Sequence, residues 1–133
     1  MKIITWNVNG LRAALRKGVL PWIIEESADV MCLQETRVLP EQLTEEQRDI
    51  PGYEVFWNPA EKKGYSGTST WTKETPREVQ LGLGDARFDV EGRVIRTRHP
   101  DFYLYNIYFP NGQRGHERVD YKLEFYENLL ETC

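Results

Sequence analysis

Two polar residues stand where this chain could act on a charged substrate. Asn7 closes the run Met1-Lys-Ile-Ile-Thr-Trp-Asn, and Glu35 closes the run Asp29-Val-Met-Cys-Leu-Gln-Glu. A carboxylate beside an amide suits Mg²⁺, a cation that takes oxygen ligands and keeps several waters. It is held by one or two carboxylates together with substrate phosphate. Each residue also has a plainer reading, Glu35 as a surface or capping carboxylate and Asn7 as a turn or cap residue. The choice depends on whether the fold brings the two together.

The elements around them say that it does. Ile3, Ile4 and Thr5 are β-branched and favour a strand. After Asn9-Gly10, Leu11, Ala14 and Leu15 fall at helical spacing, and Gly18 and Pro21 interrupt that pattern. Pro21 is suited to an early position in a second helical segment carrying Trp22, Ile23 and Ile24, which ends near Ser27. Asp29–Gln34 is then apolar without alternation, the mark of a strand buried on both faces. Strand, helix and strand within about 35 residues form a βαβ unit, with parallel strands and a right-handed crossover. Parallel neighbours end at one sheet edge, so Asn7 and Glu35 should converge there.

Beyond Glu35 the chain changes texture. Residues 37 to 52 are polar and predict at most a short surface helix. Strands are expected at Tyr53–Trp57, Thr68–Thr72 and Glu78–Leu81. Gly92–Arg98 and Phe102–Tyr108 should form an antiparallel pair joined by His99-Pro100-Asp101. From about Glu117 a helix should run to the end with Val119, Leu123, Phe125, Tyr126, Leu129 and Leu130 on a broad apolar face. The expected architecture is α/β: one mixed β-sheet of about six strands with helices on one face. That leaves the other face uncovered, as in half of a larger layered domain. Self-association through that face is one expected way of covering it.

Composition bounds the rest. With 133 residues, 40% of them hydrophobic and 29% charged, the chain is of one-domain size and globular. Lys+Arg 17 against Asp+Glu 21 gives a net charge of −4, so a nucleic acid would have to be held by a local patch or a metal. Two cysteines, Cys32 and Cys133, do not make a disulfide framework. No charged segment leads into an apolar export signal, and no apolar run approaches ~18 residues. The expectation is a cytoplasmic protein without a membrane segment.

Five short stretches, taken together, resemble the exonuclease III family of apurinic/apyrimidinic endonucleases, within the endonuclease/exonuclease/phosphatase superfamily. They are Trp6-Asn7-Val8-Asn9-Gly10-Leu11-Arg12, Leu33-Gln34-Glu35-Thr36, Gly64-Tyr65-Ser66-Gly67, Glu91-Gly92-Arg93-Val94 and Tyr108-Phe109-Pro110-Asn111. Order and spacing match from Met1 to the final helix. The resemblance implies half of a four-layered α-β-β-α sandwich, with residues 1–133 as its N-terminal half. It implies a phosphodiesterase that uses Mg²⁺, with Mn²⁺ as an alternative ion, on double-stranded DNA carrying abasic sites or 3′ ends. By matching positions, Glu35 and Asn7 belong to the metal site, and Tyr108 places a phenol near the scissile phosphate. Arg93, Asn111 and Arg114 are implied DNA contacts, as are Tyr65, Ser66 and Gly67.

Other readings stand beside these. Without the motif, Tyr108 is a core or interface aromatic, Arg93 and Arg114 are solvated charges, and Gly64-Tyr65-Ser66-Gly67 is a hairpin loop. Asn9 stands where some relatives carry aspartate, and Thr68-Ser-Thr-Trp-Thr replaces a more apolar strand. The family's Gly-Asp-x-Asn and Ser-Asp-His stretches, which bring further ligands and a water-activating His–Asp pair, do not occur in this sequence. His99 and His116 match neither. The expected function is therefore that of a DNA-repair nuclease whose isolated 133 residues are inactive or nearly so. The alternatives are an inositol-lipid phosphatase or sphingomyelinase of the same superfamily, or a non-catalytic DNA-binding or assembly module.

Overall fold

The computed structural model describes residues 1–110 and 116–132. The expected βαβ opening is present. Strand β1 (Ile3–Asn7) leads through helices α1 (Leu11–Arg16) and α2 (Val19–Glu26) to strand β2 (Val30–Gln34). The helices separate at Gly18, whose φ of 84° supplies the left-handed turn between them. β1 and β2 pair in parallel, Ile3 opposite Val30 through Asn7 opposite Gln34. The register that sends both strands to one edge is thus the one read from the chain.

After a short helix α3 (Glu45–Arg48), strands β3 (Glu54–Asn58) and β4 (Thr68–Thr72) pair antiparallel, and β4 returns beside β2. The order of this first sheet is β1-β2-β4-β3, mixed as expected. Strand β5 (Glu78–Leu81), helix α4 (Ala86–Asp89) and strands β6 (Val94–Arg98) and β7 (Tyr103–Ile107) follow, and helix α5 (His116–Thr132) closes the described chain. The last three strands do not extend the first sheet. They form a second, antiparallel sheet of order β5-β6-β7. The expectation of one sheet of about six strands is corrected on this point: the strands divide four and three.

The two sheets face each other, and each carries helices on its outer side. α1 and α2 cover the first sheet through Leu11, Ala14 and Ile23, packed with Met31, Leu33 and Trp71. α5 covers the second through Tyr121, Phe125 and Leu129, packed with Val94 and Phe88 and against Tyr105 and Ile107. Much of the sheet face expected to lie open is therefore the interior of a sandwich, while Ile3 and Thr5 on the same face of β1 stay exposed.

That interior is polar. Gln34 donates from Nε2 to Thr5 Oγ1 at 2.8 Å, to the Cys32 carbonyl at 3.2 Å and to Asn106 Oδ1 at 2.8 Å. Asn106 in turn donates from Nδ2 to the Leu33 carbonyl at 3.3 Å, the Ser69 carbonyl at 2.9 Å and Thr70 Oγ1 at 3.1 Å. Thr68 donates to the Gly92 carbonyl at 3.1 Å, and Asn58 to the Val94 carbonyl at 2.8 Å. This explains the run Thr68-Ser-Thr-Trp-Thr. Side chains alternate along a strand, so Thr68 and Thr70 enter the layer between sheets while Trp71, fully buried, joins the helix-covered face. Ser69, on Trp71's face, accepts the indole N–H at 2.9 Å.

Among the described residues no helix is long and apolar enough to cross a membrane. Cys32 lies buried on the inner side of β2, and that burial pushes its thiol up to about 12.

Two outcomes follow from the polar layer. Asn106→Ala strips partners from Gln34, Ser69 and Thr70 inside the sandwich, and urea denaturation should show a loss of about 3 kcal/mol. A loss under about 1 kcal/mol would mean the layer is hydrated rather than stapled. In a Cys133→Ser chain, Cys32 should resist alkylation by iodoacetamide at mildly alkaline pH until denaturant is added. Rapid labelling of the native chain would contradict its burial.

Candidate active site

The ends of β1 and β2 run into three short segments that hold one another by backbone hydrogen bonds. Gly10 N–H donates to the Glu35 carbonyl and Leu11 N–H to the Thr36 carbonyl, both at 2.8 Å. On the other side, Thr36 N–H reaches the Gly67 carbonyl at 3.2 Å and Arg37 N–H the Ser66 carbonyl at 2.8 Å. Segment 35–37 is thus clamped between residues 10–11 and 66–67. The clamp is strained, since Asn9, Glu35, Arg37 and Ser66 all have φ between 47° and 57°. Non-glycine residues adopt that region at a cost of about 1–2 kcal/mol each, and such outliers gather at functional sites. Gly67, at φ 89°, has no room for more: a Cβ there would meet Thr36 Oγ1 at 2.6 Å.

The strain aims Glu35. Its side chain is 12% exposed, and its Oε1 accepts the Tyr108 hydroxyl at 2.9 Å and Asn7 Nδ2 at 3.4 Å. The Asn7 amide is itself oriented, because its Oδ1 accepts the Asn9 N–H at 3.0 Å. Glu35 Oε2 is buried and makes no hydrogen bond, and its charge partner is the half-exposed Arg37 guanidinium. Asn7, Glu35 and Tyr108, from three separate strand ends, meet at one point.

Tyr108 is tuned by this place. Burial, then the hydrogen bond to Glu35 and the charge of Glu35, push its phenol above the ordinary tyrosine value, with Arg93 acting weakly the other way. The hydroxyl therefore keeps its proton across the neutral range and serves as a donor, to Glu35 here or to an anionic oxygen brought beside it.

The other expected contacts fare differently. Arg93 is 2% exposed, and its guanidinium donates to Glu91, Tyr65 and the Tyr108 carbonyl. Ser66 is likewise 2% exposed, and Ser66 and Gly67 serve the clamp through their carbonyls rather than offering a surface. Tyr65 is half-buried, with its hydroxyl donating to Glu91 at 2.8 Å and Lys62 Nζ lying 5.1 Å from its ring centre. Asn111 and Arg114 lie outside the described residues.

Two residues escaped the sequence reading. Arg37 lies two positions beyond Glu35, across the turn in which both residues are left-handed. Glu91 sits inside a quoted motif, again two positions from the residue it pairs with.

Among the described residues no group of three or more His, Cys, Asp or Glu side chains could enclose a metal. What the site offers is narrower: one carboxylate with an oxygen free of hydrogen bonds, an amide beside it and a phenol opposite. That donor set fits a hard cation completed by water and substrate phosphate. A separate cleft of ≈ 670 Å³, lined by residues including Arg48, Asp49, Tyr53 and Trp57, contains none of these groups.

Comparison with known proteins bears on the fold that carries these residues. A model described as the Endonuclease/Exonuclease/phosphatase family matches residues 4–132. An exodeoxyribonuclease from Bacillus subtilis (strain 168) is 46% identical over 131 residues, covering 98% of this chain and 51% of that protein. Among solved structures, an AP endonuclease from Archaeoglobus fulgidus superposes with a TM-score of 0.85 at 33% identity, covering 99% of this chain and 50% of that one. The Neisseria 3′ phosphatase NExo, bound to product DNA hairpin, superposes with a TM-score of 0.85 at 27% identity, covering 99% and 51%. The chain spans about half the length of the relatives it matches.

The contact between Tyr108 and Glu35 sets an expected pH dependence. A phenol whose folded value is raised adds stability that is complete below the ordinary tyrosine value and is lost as pH rises through the raised one. Ultraviolet titration should show ionisation above the ordinary range that loses one tyrosine's amplitude in Tyr108→Phe, the rest belonging to Tyr53. In Glu35→Gln that amplitude should move downward without becoming ordinary, because burial is the larger cause. An unchanged late titration in Tyr108→Phe would leave the raised tyrosine to Tyr53, whose phenol burial also pushes up.

Proposed function

The chain belongs to the endonuclease/exonuclease/phosphatase family, and on that footing we propose that it carries one wall of the active site of a Mg²⁺-dependent DNA phosphodiesterase. The reading is of a repair nuclease that cuts 5′ to an abasic site or removes nucleotides from 3′ ends. Residues 1–133 would supply the N-terminal half of its fold. The observation that carries the proposal is the convergence of Asn7, Glu35 and Tyr108 on one strained corner. The names of the relatives favour DNA over the inositol-lipid and sphingomyelin alternatives. A DNA substrate also suits the cytoplasmic placement expected from the sequence.

In this reading Glu35 would hold the ion through Oε2, in place of the Arg37 guanidinium that pairs with that oxygen, with Asn7 fixing the carboxylate from the side. A bound Mg²⁺ supplies neutralisation of the charge that builds on the phosphoryl oxygens. The protonated Tyr108 hydroxyl donates to a phosphate oxygen. Arg37 is a second cation on the exposed side, free to turn to phosphate when Glu35 is otherwise engaged. The bond that breaks joins phosphorus to the 3′ oxygen, and water takes its place, leaving a 3′-hydroxyl.

Water must lose a proton in that step, and His99 is not the base. Its ring is 6% exposed, shares a hydrogen bond with Thr97 at 2.8 Å and stacks on Phe102 with centroids 4.8 Å apart. Burial lowers its pKa, which suits a packed neutral imidazole. The reading therefore assigns substrate and ion binding to this chain, and little turnover.

Fluorescence anisotropy with a duplex containing a stable abasic analogue tests it. Mg²⁺ should tighten binding by the 133-residue chain, and Glu35→Ala should erase the Mg²⁺ effect while leaving the metal-free affinity. Metal-independent binding in both would sink the metal assignment. Single-turnover cleavage of an abasic-site duplex should be nearly silent with the chain alone. Robust Mg²⁺-dependent cutting lost in Glu35→Ala would show instead that this half is sufficient.

A further inference from the structure

A guanidinium removed from water needs partners for its donors, and Arg93 draws them from three of the site's segments. Glu91 Oε1 accepts its Nε at 3.1 Å and its Nη2 at 2.7 Å. The Tyr65 hydroxyl accepts Nη2 at 3.0 Å while donating to that same Glu91 oxygen at 2.8 Å. The Arg93 guanidinium also lies 6.0 Å from the Tyr65 ring centre and 5.8 Å from that of Tyr121, and its other hydrogen bonds go to Tyr108. Arg93 Nη1 donates to the Tyr108 carbonyl at 3.1 Å, the Arg93 carbonyl accepts the Tyr108 N–H at 2.9 Å, and the guanidinium lies 5.0 Å from the Tyr108 ring centre. One residue thus grips Tyr108 by its amide, its carbonyl and its ring face.

Tyr108 needs such a grip. It lies just past the end of β7, where the ladder to β6 has thinned to the one bond from the Tyr108 N–H to the Arg93 carbonyl and leaves the side chain unfixed. Its hydroxyl must nonetheless arrive within hydrogen-bond reach of Glu35, at the far end of an aromatic side chain. We propose that Arg93 is the positioning residue of this site: with Glu91 as its anchor, it sets the Tyr108 phenol against Glu35 and ties that setting to Tyr65. The planar fork is essential. A lysine carries the same charge but cannot bond Glu91, Tyr65 and the Tyr108 carbonyl in one plane while stacking on a ring. Arg93 then acts on phosphate chemistry through Tyr108, without touching DNA. Its importance to catalysis rests on the phosphodiesterase reading, whereas the geometry is testable without it.

The test is carbon-13 NMR at neutral pH on the 133-residue chain labelled at tyrosine Cζ, with neither metal nor DNA present. The Tyr108 resonance is assigned by its loss in Tyr108→Phe, and Glu35→Ala defines its position without the carboxylate bond. Arg93→Lys should move it most of the way to that position in a chain that remains folded, while Arg96→Lys, on the same strand, leaves it in place. An unmoved resonance in folded Arg93→Lys, or an equal movement in Arg96→Lys, overturns the proposal. Should Arg93→Lys fail to fold, Tyr65→Phe, which deletes one hydroxyl, decides in its stead: a partial shift in the same direction supports the proposal and none overturns it. Loss of the Mg²⁺ effect on DNA binding would remove the functional reading and leave this result standing.

Discussion

Gln34 and Asn106 meet between the two sheets at 2.8 Å, and the placement of the site depends on that joint. Each side chain is an amide with donors and an acceptor to satisfy, and each also binds backbone carbonyls of the first sheet. An apolar layer would tolerate sliding, because dispersion contacts are not directional. Amides bonded to specific carbonyls do not, since a buried partner left unmet costs about 1–3 kcal/mol. The joint fixes the second sheet in register over the first. Gln34 is next to Glu35, and Asn106 is two residues from Tyr108. The staple and the site are therefore parts of one registration.

From that registration outward, the corner is built in two tiers. Backbone hydrogen bonds from residues 10–11 and 66–67 hold Glu35 and Arg37 in left-handed geometry, which turns the Glu35 carboxylate toward β7. The buried cluster of Glu91, Arg93 and Tyr65 then locates the phenol that meets it. Ion pairs of this kind contribute little net stability, because desolvation offsets their attraction. Their directionality is the more useful property, and here it is spent on a single tyrosine.

The sequence was readable where one physical rule acts over a short span. Parallel pairing of β1 and β2 and the meeting of Asn7 with Glu35 follow from strand–helix–strand spacing alone. β4 and β5 occupy the residues expected of them. The division into two sheets was not readable, because alternation along β6 and β7 says which residues share a face but not which sheet the strands join. Threonines facing a buried polar layer look, in one dimension, like threonines facing water. The partners of Arg93 were hidden for a related reason: a lone arginine reads as solvated until the fold reveals Glu91 and Tyr65 beside it. The place of Tyr108 came from family resemblance, and no local pattern of residues foretold that its hydroxyl would reach Glu35.

The bond between Tyr108 and Glu35 joins residues 73 apart in the chain. The first sheet needs nothing beyond Thr72, so its strands can assemble while the rest of the polypeptide is still being made. The corner cannot, because closing so long a loop carries an entropy cost that is recovered only when β7 docks. A carboxylate in a strained turn, without its phenol, is all that exists before then. Until the second sheet closes over the first, a nascent chain therefore holds Glu35 beside Asn7 without the phenol that meets it.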